Sequence, residues 1–258
     1  MLVNDIPQGK KEIEKRSSMR VRYLPAGDRA LSVEFGATIS EDLNTRVLQF
    51  DNLLQKACLP GVVETVPSYR ALLVYYDPLL IEYESLVEQL RRRESEIASD
   101  VRRPTRLVQI PCCYDPELGF DLTAVAEQHG LTAHDVVRIH GSAEYVTYFI
   151  GFAPGFPYLG GLPEQIATPR LVTPRVKIPA GSVAIGGSQC TIYSVESPGG
   201  FWILGRTPLR LYDPAATQPV FLRAGDRIRF NPVDRVEFEQ ISRNVDAGTY
   251  RTNIQETA

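Results

Sequence analysis

Two cations and a glycine-rich turn carry the most chemistry in this sequence. Lys177 comes just before Pro179-Ala180-Gly181, and Arg206 follows an apolar run from Phe201 to Leu204. Ser197-Pro198-Gly199-Gly200 lies between them and fits a type II turn, with Pro198 supplying the fixed φ at the second position and Gly199 the positive φ at the third. Cations beside exposed backbone amides can hold a carboxylate or phosphate, because charge-assisted hydrogen bonds are the strong ones and arginine binds such groups through two donors. The same residues also suit a tight hairpin turn carrying ordinary surface charge.

The chain has three histidines. His129 precedes Gly130 at a predicted helix end, and His134 falls in the first turn of the next helix. His140 ends that helix just before the segment leading to Gly151, where it serves either as a general acid or base or as a satisfied structural histidine. Other familiar chemistries lack their motifs. There is no His-x-Glu or HExxH pattern, so no metal is expected, and no GxxxxGK[ST] phosphate loop, GxGxxG turn or GxSxG elbow.

The whole chain narrows the partners further. Its 258 residues and net charge of -3 describe a globular protein with no basic footprint for nucleic acid, and no apolar run is long enough to span a bilayer. Cys58, Cys112, Cys113 and Cys190 show no CxxC spacing, and a chain of this size has no need of disulfides, so a reducing cytoplasm is the expected home. Vicinal Cys112 and Cys113 read as core-strand residues or as a redox pair.

Residues 1–18 are polar and charged and read as a loose N-terminal extension. Runs at Arg20–Leu24 and Ala30–Phe35 predict a hairpin. Ser40 offers a helix cap, and Leu43, Val47, Phe50 and Leu54 then form one helical stripe. Strands at Val62–Val66 and Ala71–Tyr76 precede a helix over Ile81–Arg93. Arg91-Arg92-Arg93 reads as the solvated last turn of that helix or as an anion patch. The charged stretch to Arg103, with Pro104, marks a boundary between a domain at 19–103 and a second at 104–240. Residues 241–258 are taken as a C-terminal tail.

In the second domain, Leu107–Ile110 predicts a strand, Leu122–Gln128 a helix, and Thr132 with Asp135 the capping box of another. From Tyr145 onward, short strands between turn signals predict a barrel or sandwich: Tyr145–Ile150, Ser182–Ile185, Thr191–Val195, Phe201–Leu204, Leu209–Tyr212 and Arg227–Phe230. Gly151–Gly161, reading Gly-Phe-Ala-Pro-Gly-Phe-Pro-Tyr-Leu-Gly-Gly, is too rich in glycine and proline for a helix.

That string, with Thr173–Ser182 and Ser197–Asp213 in the same order, resembles the signature of the KipI/PxpB family, also called allophanate hydrolase subunit 1 and related to carboxyltransferase subdomains C and D. The resemblance runs over roughly residues 19 to 232. It implies an α+β protein with an N-terminal α/β domain and a C-terminal cyclophilin-like β-barrel. It further implies the B subunit of an ATP-dependent 5-oxoprolinase, which converts 5-oxoproline to L-glutamate with Mg-bound ATP as co-substrate. Its partners would be two further subunits, the A chain and a carboxyltransferase-related C chain.

On the family's motif positions, Arg175, Lys177 and Arg206 would hold a carboxylate or phosphate. The backbone of Ser197, Gly199 and Gly200 would supply donors, and His140 would move a proton. The family also suggests a KipI-like inhibitor that binds a histidine kinase, or a component of urea or allophanate metabolism. A prolyl isomerase finds no catalytic Arg, Phe and Trp set in this sequence.

Overall fold

The computed structural model describes residues 21–97 and 105–257, and these fall into two separate units. The expected N-terminal extension at 1–18 and the expected boundary between 103 and 104 lie outside the described residues.

The first unit contains strands β1 (Arg22–Pro25), β2 (Ala30–Glu34), β3 (Val62–Pro67) and β4 (Ala71–Tyr76), which form one antiparallel sheet in the order β1-β2-β4-β3. Alternate residues Leu31 and Val33 of β2, and Leu72, Val74 and Tyr76 of β4, are buried, the period of two expected of a sheet with one covered face. Helices α1 (Glu41–Ala57) and α2 (Tyr83–Glu94) cover that face with Val47, Phe50 and Leu54 from one and Leu86 and Leu90 from the other. Ser40 caps α1 by accepting from the Leu43 amide at 3.3 Å, and Cys58 ends it in the left-handed region at φ 44°.

The second unit is a closed barrel. Its wall is made of β5 (Thr105–Cys113), β6 (Tyr145–Ile150), β7 (Pro157–Gly160), β9 (Ser182–Gly186), β10 (Gln189–Ile192), β12 (Trp202–Arg206) and β13 (Arg227–Val233). These seven strands follow the order β12-β9-β10-β7-β6-β13-β5, and β5 pairs back onto β12 to close the barrel. Residues 108, 110 and 112 of β5, 183 and 185 of β9, 190 and 192 of β10, and 228 and 230 of β13 fill the interior. Both Cys112 and Cys113 are buried in β5 as free thiols.

β5 and β13 run parallel, which no short turn can connect, and the chain between them includes α3 (Leu122–Gln128) and α4 (Ala133–Ser142). Arg106 and Asp226 fasten the starts of that pair, with Nε donating to Oδ1 at 2.9 Å. A hairpin-like pair, β8 (Arg175–Ile178) and β11 (Ser197–Gly199), covers a second apolar cluster on the barrel's outer face, formed by Phe156, Ile178, Ala184, Tyr193, Phe201 and Ile203.

The α+β architecture with a C-terminal barrel is as expected from the sequence, but three local readings differ. The stretch taken as a C-terminal tail carries regular structure: α5 (Arg235–Asp246) buries Ile241, and β14 (Ile254–Thr257) adds antiparallel to β5. Leu209–Tyr212 forms no strand, because only Tyr212 makes a bridge, to Val220. Pro198-Gly199 is not a type II turn. Both residues lie in β11, and Gly199 is absent from the residues with positive φ.

Candidate functional site

The motif residues Arg175, Lys177, Ser197, Gly199 and Gly200 gather along β8 and β11 on the barrel's outer face. Arg175 is committed to internal contacts. Its Nη2 donates to Asp121 Oδ1 at 2.6 Å, its Nη1 to the Phe201 carbonyl at 3.2 Å, and its guanidinium lies 5.0 Å from the Phe120 ring centre. Asp121 is buried, and its second oxygen accepts from the Ile203 amide at 2.7 Å. One carboxylate thereby holds both β12 and the start of β8. Sequence reading missed this residue, because an aspartate just before a helix looks like a cap. Here its side chain makes no cap bond.

Lys177 reaches Glu196 at 3.0 Å, and both side chains are mostly exposed, so the pair contributes little to stability. The Ser197 hydroxyl donates to the Val195 carbonyl at 3.3 Å, while the Gly200 carbonyl accepts from Leu171 at 2.8 Å. Gly199 is required for close approach: a Cβ there would lie 2.0 Å from the Tyr193 hydroxyl. Tyr193 is buried and held edge-on by Phe156 at 5.3 Å, and burial pushes its phenol up to about 12. Gly199→Ala is therefore expected to destabilise the barrel by about 1–3 kcal/mol, as overpacking does. Denaturant unfolding checks this, and an unchanged midpoint would contradict it.

Arg206, at the end of β12, is different from the other two cations. Among the described residues it forms no ion pair, and its Nε is buried without a hydrogen-bond partner. Burial and neighbouring Arg235 both lower its pKa.

His140 is not part of this surface. It is fully buried inside the barrel, with Nδ1 2.7 Å from the Tyr114 hydroxyl and Nε2 3.5 Å from Cys190 Sγ. Its ring packs 4.6 Å from Phe230 and 5.2 Å from Tyr145, and burial lowers its pKa to about 3. It is neutral at physiological pH, and its environment is that of a satisfied core histidine.

The Gly151–Gly161 segment holds a feature the sequence did not reveal. Phe152 has φ 63°, and the Ala153 amide bonds to the Gly151 carbonyl across it at 2.7 Å, a γ-turn that is rare and strained for a bulky residue. The turn leaves Phe152 65% exposed, its ring edge-on to Phe156. Among the described residues no cluster of three or more His, Cys, Asp or Glu is arranged to hold a metal ion, and no helix is long and apolar enough to cross a membrane.

The chain belongs to the carboxyltransferase domain family, subdomains C and D, whose model matches residues 21–222. Within it the chain is 39% identical to the 5-oxoprolinase B subunit of Bacillus subtilis (strain 168), over 85% of this chain and 97% of that protein. That relative is by name one subunit of a multi-chain hydrolase. The crystal structure of TTHA0988 is similar with a TM-score of 0.72 and 36% identity, over 80% of this chain. The chain spans only 40% of that longer protein. Urea amidolyase of Lachancea kluyveri is a more distant relative, 27% identical over 95% of this chain but only 15% of its own length.

Proposed function

We propose that this chain is the B subunit of an ATP-dependent 5-oxoprolinase that opens 5-oxoproline to L-glutamate together with two partner subunits, the A chain and a carboxyltransferase-related C chain. The observation that carries this reading is near full-length similarity to a 5-oxoprolinase B subunit, 39% identical over 97% of that relative. The urea amidolyase relative is matched over only 15% of its length, which gives that chemistry weaker support.

The reaction explains why several chains are needed. A lactam carbonyl is a poor electrophile; phosphorylating its oxygen, with Mg-bound ATP as donor and ADP released, activates the carbon, so that one water adds and the C–N bond breaks to leave an acyl phosphate with a free amine, and a second water releases phosphate to give glutamate. In this reading the present chain and the C chain serve activation, and the A chain serves ring opening. The outer face of the barrel meets the substrate's carboxylate or the transferred phosphate. Arg206 is the cation with charge to spare, Lys177 can release Glu196 to join it, and Arg175 holds β8 in place. The β11 backbone around Ser197, Gly199 and Gly200 frames the surface, and His140 supports the barrel from inside.

The test is reconstitution. Co-expressed with candidate A and C chains, the protein is expected to support ATP-dependent glutamate formation from 5-oxoproline, and omitting it to reduce the rate to background. Full activity without this chain would overturn the reading. No activity from the complete set, together with tight binding to a histidine kinase, would replace it with an inhibitor.

A further inference from the structure

Ser182 ends the signature phrase Thr173–Ser182 and was given no role there, yet it is fully buried and its hydroxyl makes no hydrogen bond to any described protein group. Ser182 in β9 stands directly opposite Arg206 in β12, so the two side chains leave the same face of the barrel wall. Two neighbouring strands thus present unpartnered polar atoms side by side: Ser182 Oγ and Arg206 Nε. A buried polar group left unpaired is costly, and more so on a charged side chain. A fold retains such a pair at lower cost when a ligand completes it.

The surroundings favour an anion. Arg235 contributes positive charge at Arg206, but its own guanidinium is engaged by Glu117 at 3.3 Å and Glu239 at 2.9 Å, whereas Arg206 has no carboxylate partner among the described residues. Gly181, at φ 81°, passes beneath the arginine: a Cβ there would lie 3.2 Å from Arg206 Cγ and 2.5 Å from the Thr207 carbonyl. Arg206 as a residue is only half-buried, so part of its side chain meets solvent.

We propose that Arg206 and Ser182 together form a binding notch for one small anion, a carboxylate or a phosphate, with Arg206 Nε and the Ser182 hydroxyl as its donors. The proposal rests on Arg206 as an anion-holding residue but not on the identity of the reaction, and it is tested without turnover.

Titration calorimetry on the purified full-length chain at fixed ionic strength, with inorganic phosphate and with 5-oxoproline in separate arms, is the measurement. Saturable binding of at least one is expected, and the arm that saturates distinguishes phosphate from carboxylate. Arg206→Gln should weaken it by about 10-fold or more, the loss of a hydrogen bond to a charged group. Ser182→Ala should weaken it several-fold without lowering the ligand-free melting temperature, since deleting an unpaired hydroxyl leaves no partner stranded. Arg138→Ala, on the exposed face of α4, should bind as wild type. If Arg206→Gln fails to fold, Arg206→Lys takes its place, with weaker binding expected because the fork of donors is lost. Binding of neither anion, or equal affinity in wild type and Ser182→Ala, would overturn the proposal.

Discussion

Replacing Asp121 by alanine is expected to destabilise the barrel unit by about 3–5 kcal/mol, the effect of removing one partner from a buried, hydrogen-bonded ion pair. The carboxylate has no substitute in its surroundings. It accepts from Arg175 at 2.6 Å and from the Ile203 amide at 2.7 Å, and the Asp121 amide donates to the Ile203 carbonyl at 3.1 Å. Alanine would leave the arginine without its counter-charge and the Ile203 amide without an acceptor. The neighbouring segment cannot collapse into the space, because Gly119 already rests against the Leu204 backbone, where even a Cβ would lie 2.0 Å from the carbonyl oxygen.

Denaturant unfolding followed by the fluorescence of Trp202, the single tryptophan and the residue next to Ile203, reports this unit directly. Arg175→Met should cost less, because it removes the charge along with the partner. The double variant should fall well short of the sum, since both substitutions break one interaction. A loss below about 1 kcal/mol for Asp121→Ala would show that the carboxylate does not hold β8 and β12.

This clamp also shows where a linear reading stops. Ala71–Tyr76 was legible as a short continuous run of apolar and aromatic residues, and α1 because Ser40 and the Leu43, Val47, Phe50, Leu54 stripe announce a cap and a covered face. The pairing of β5 with β12, which closes the barrel, joins residues far apart in sequence and leaves no local periodicity. Pro157–Gly160 was hidden because a strand flanked and interrupted by proline and glycine looks like a loop.

The candidate site divides in the same way. That Arg175, Lys177 and Arg206 carry charge was readable, but which of them is neutralised depends on Asp121 and Glu196, 54 residues from Arg175 in one case and on the neighbouring strand's approach in the other. Pro198-Gly199 misled because a glycine can be needed for space as well as for positive φ. The Tyr193 hydroxyl that demands the space comes from another segment. His140 could be read two ways for a related reason: its place at a helix end says nothing of burial, and only the fold shows the barrel interior enclosing it.

The enclosure of His140 makes the barrel acid-sensitive in a predictable direction. Its folded pKa, lowered by burial to about 3, lies below the ordinary value of 6.5 that the unfolded chain restores. Well above pH 6.5 the ring is neutral in both states and contributes no pH dependence. As pH falls below 6.5 the unfolded chain takes up a proton that the folded barrel refuses, so stability drops by up to about 1.4 kcal/mol per pH unit until the folded pKa is approached. The total is on the order of 5 kcal/mol, a large part of what a domain possesses.

The groups facing the ring do not alter this sign. Burial raises the pKa values of Tyr114, Tyr145 and Cys190, which keeps all three neutral across the window. Surface carboxylates titrate in the same range, so the informative quantity is the difference between wild type and His140→Gln. The variant should be less stable near pH 7, where the Tyr114 contact is disturbed, yet lose stability more slowly on acidification, bringing the two unfolding curves together between pH 6.5 and 3. Parallel curves over that window would mean that His140 reaches solvent or a proton donor in the folded state, and would return it to consideration as an acid or base.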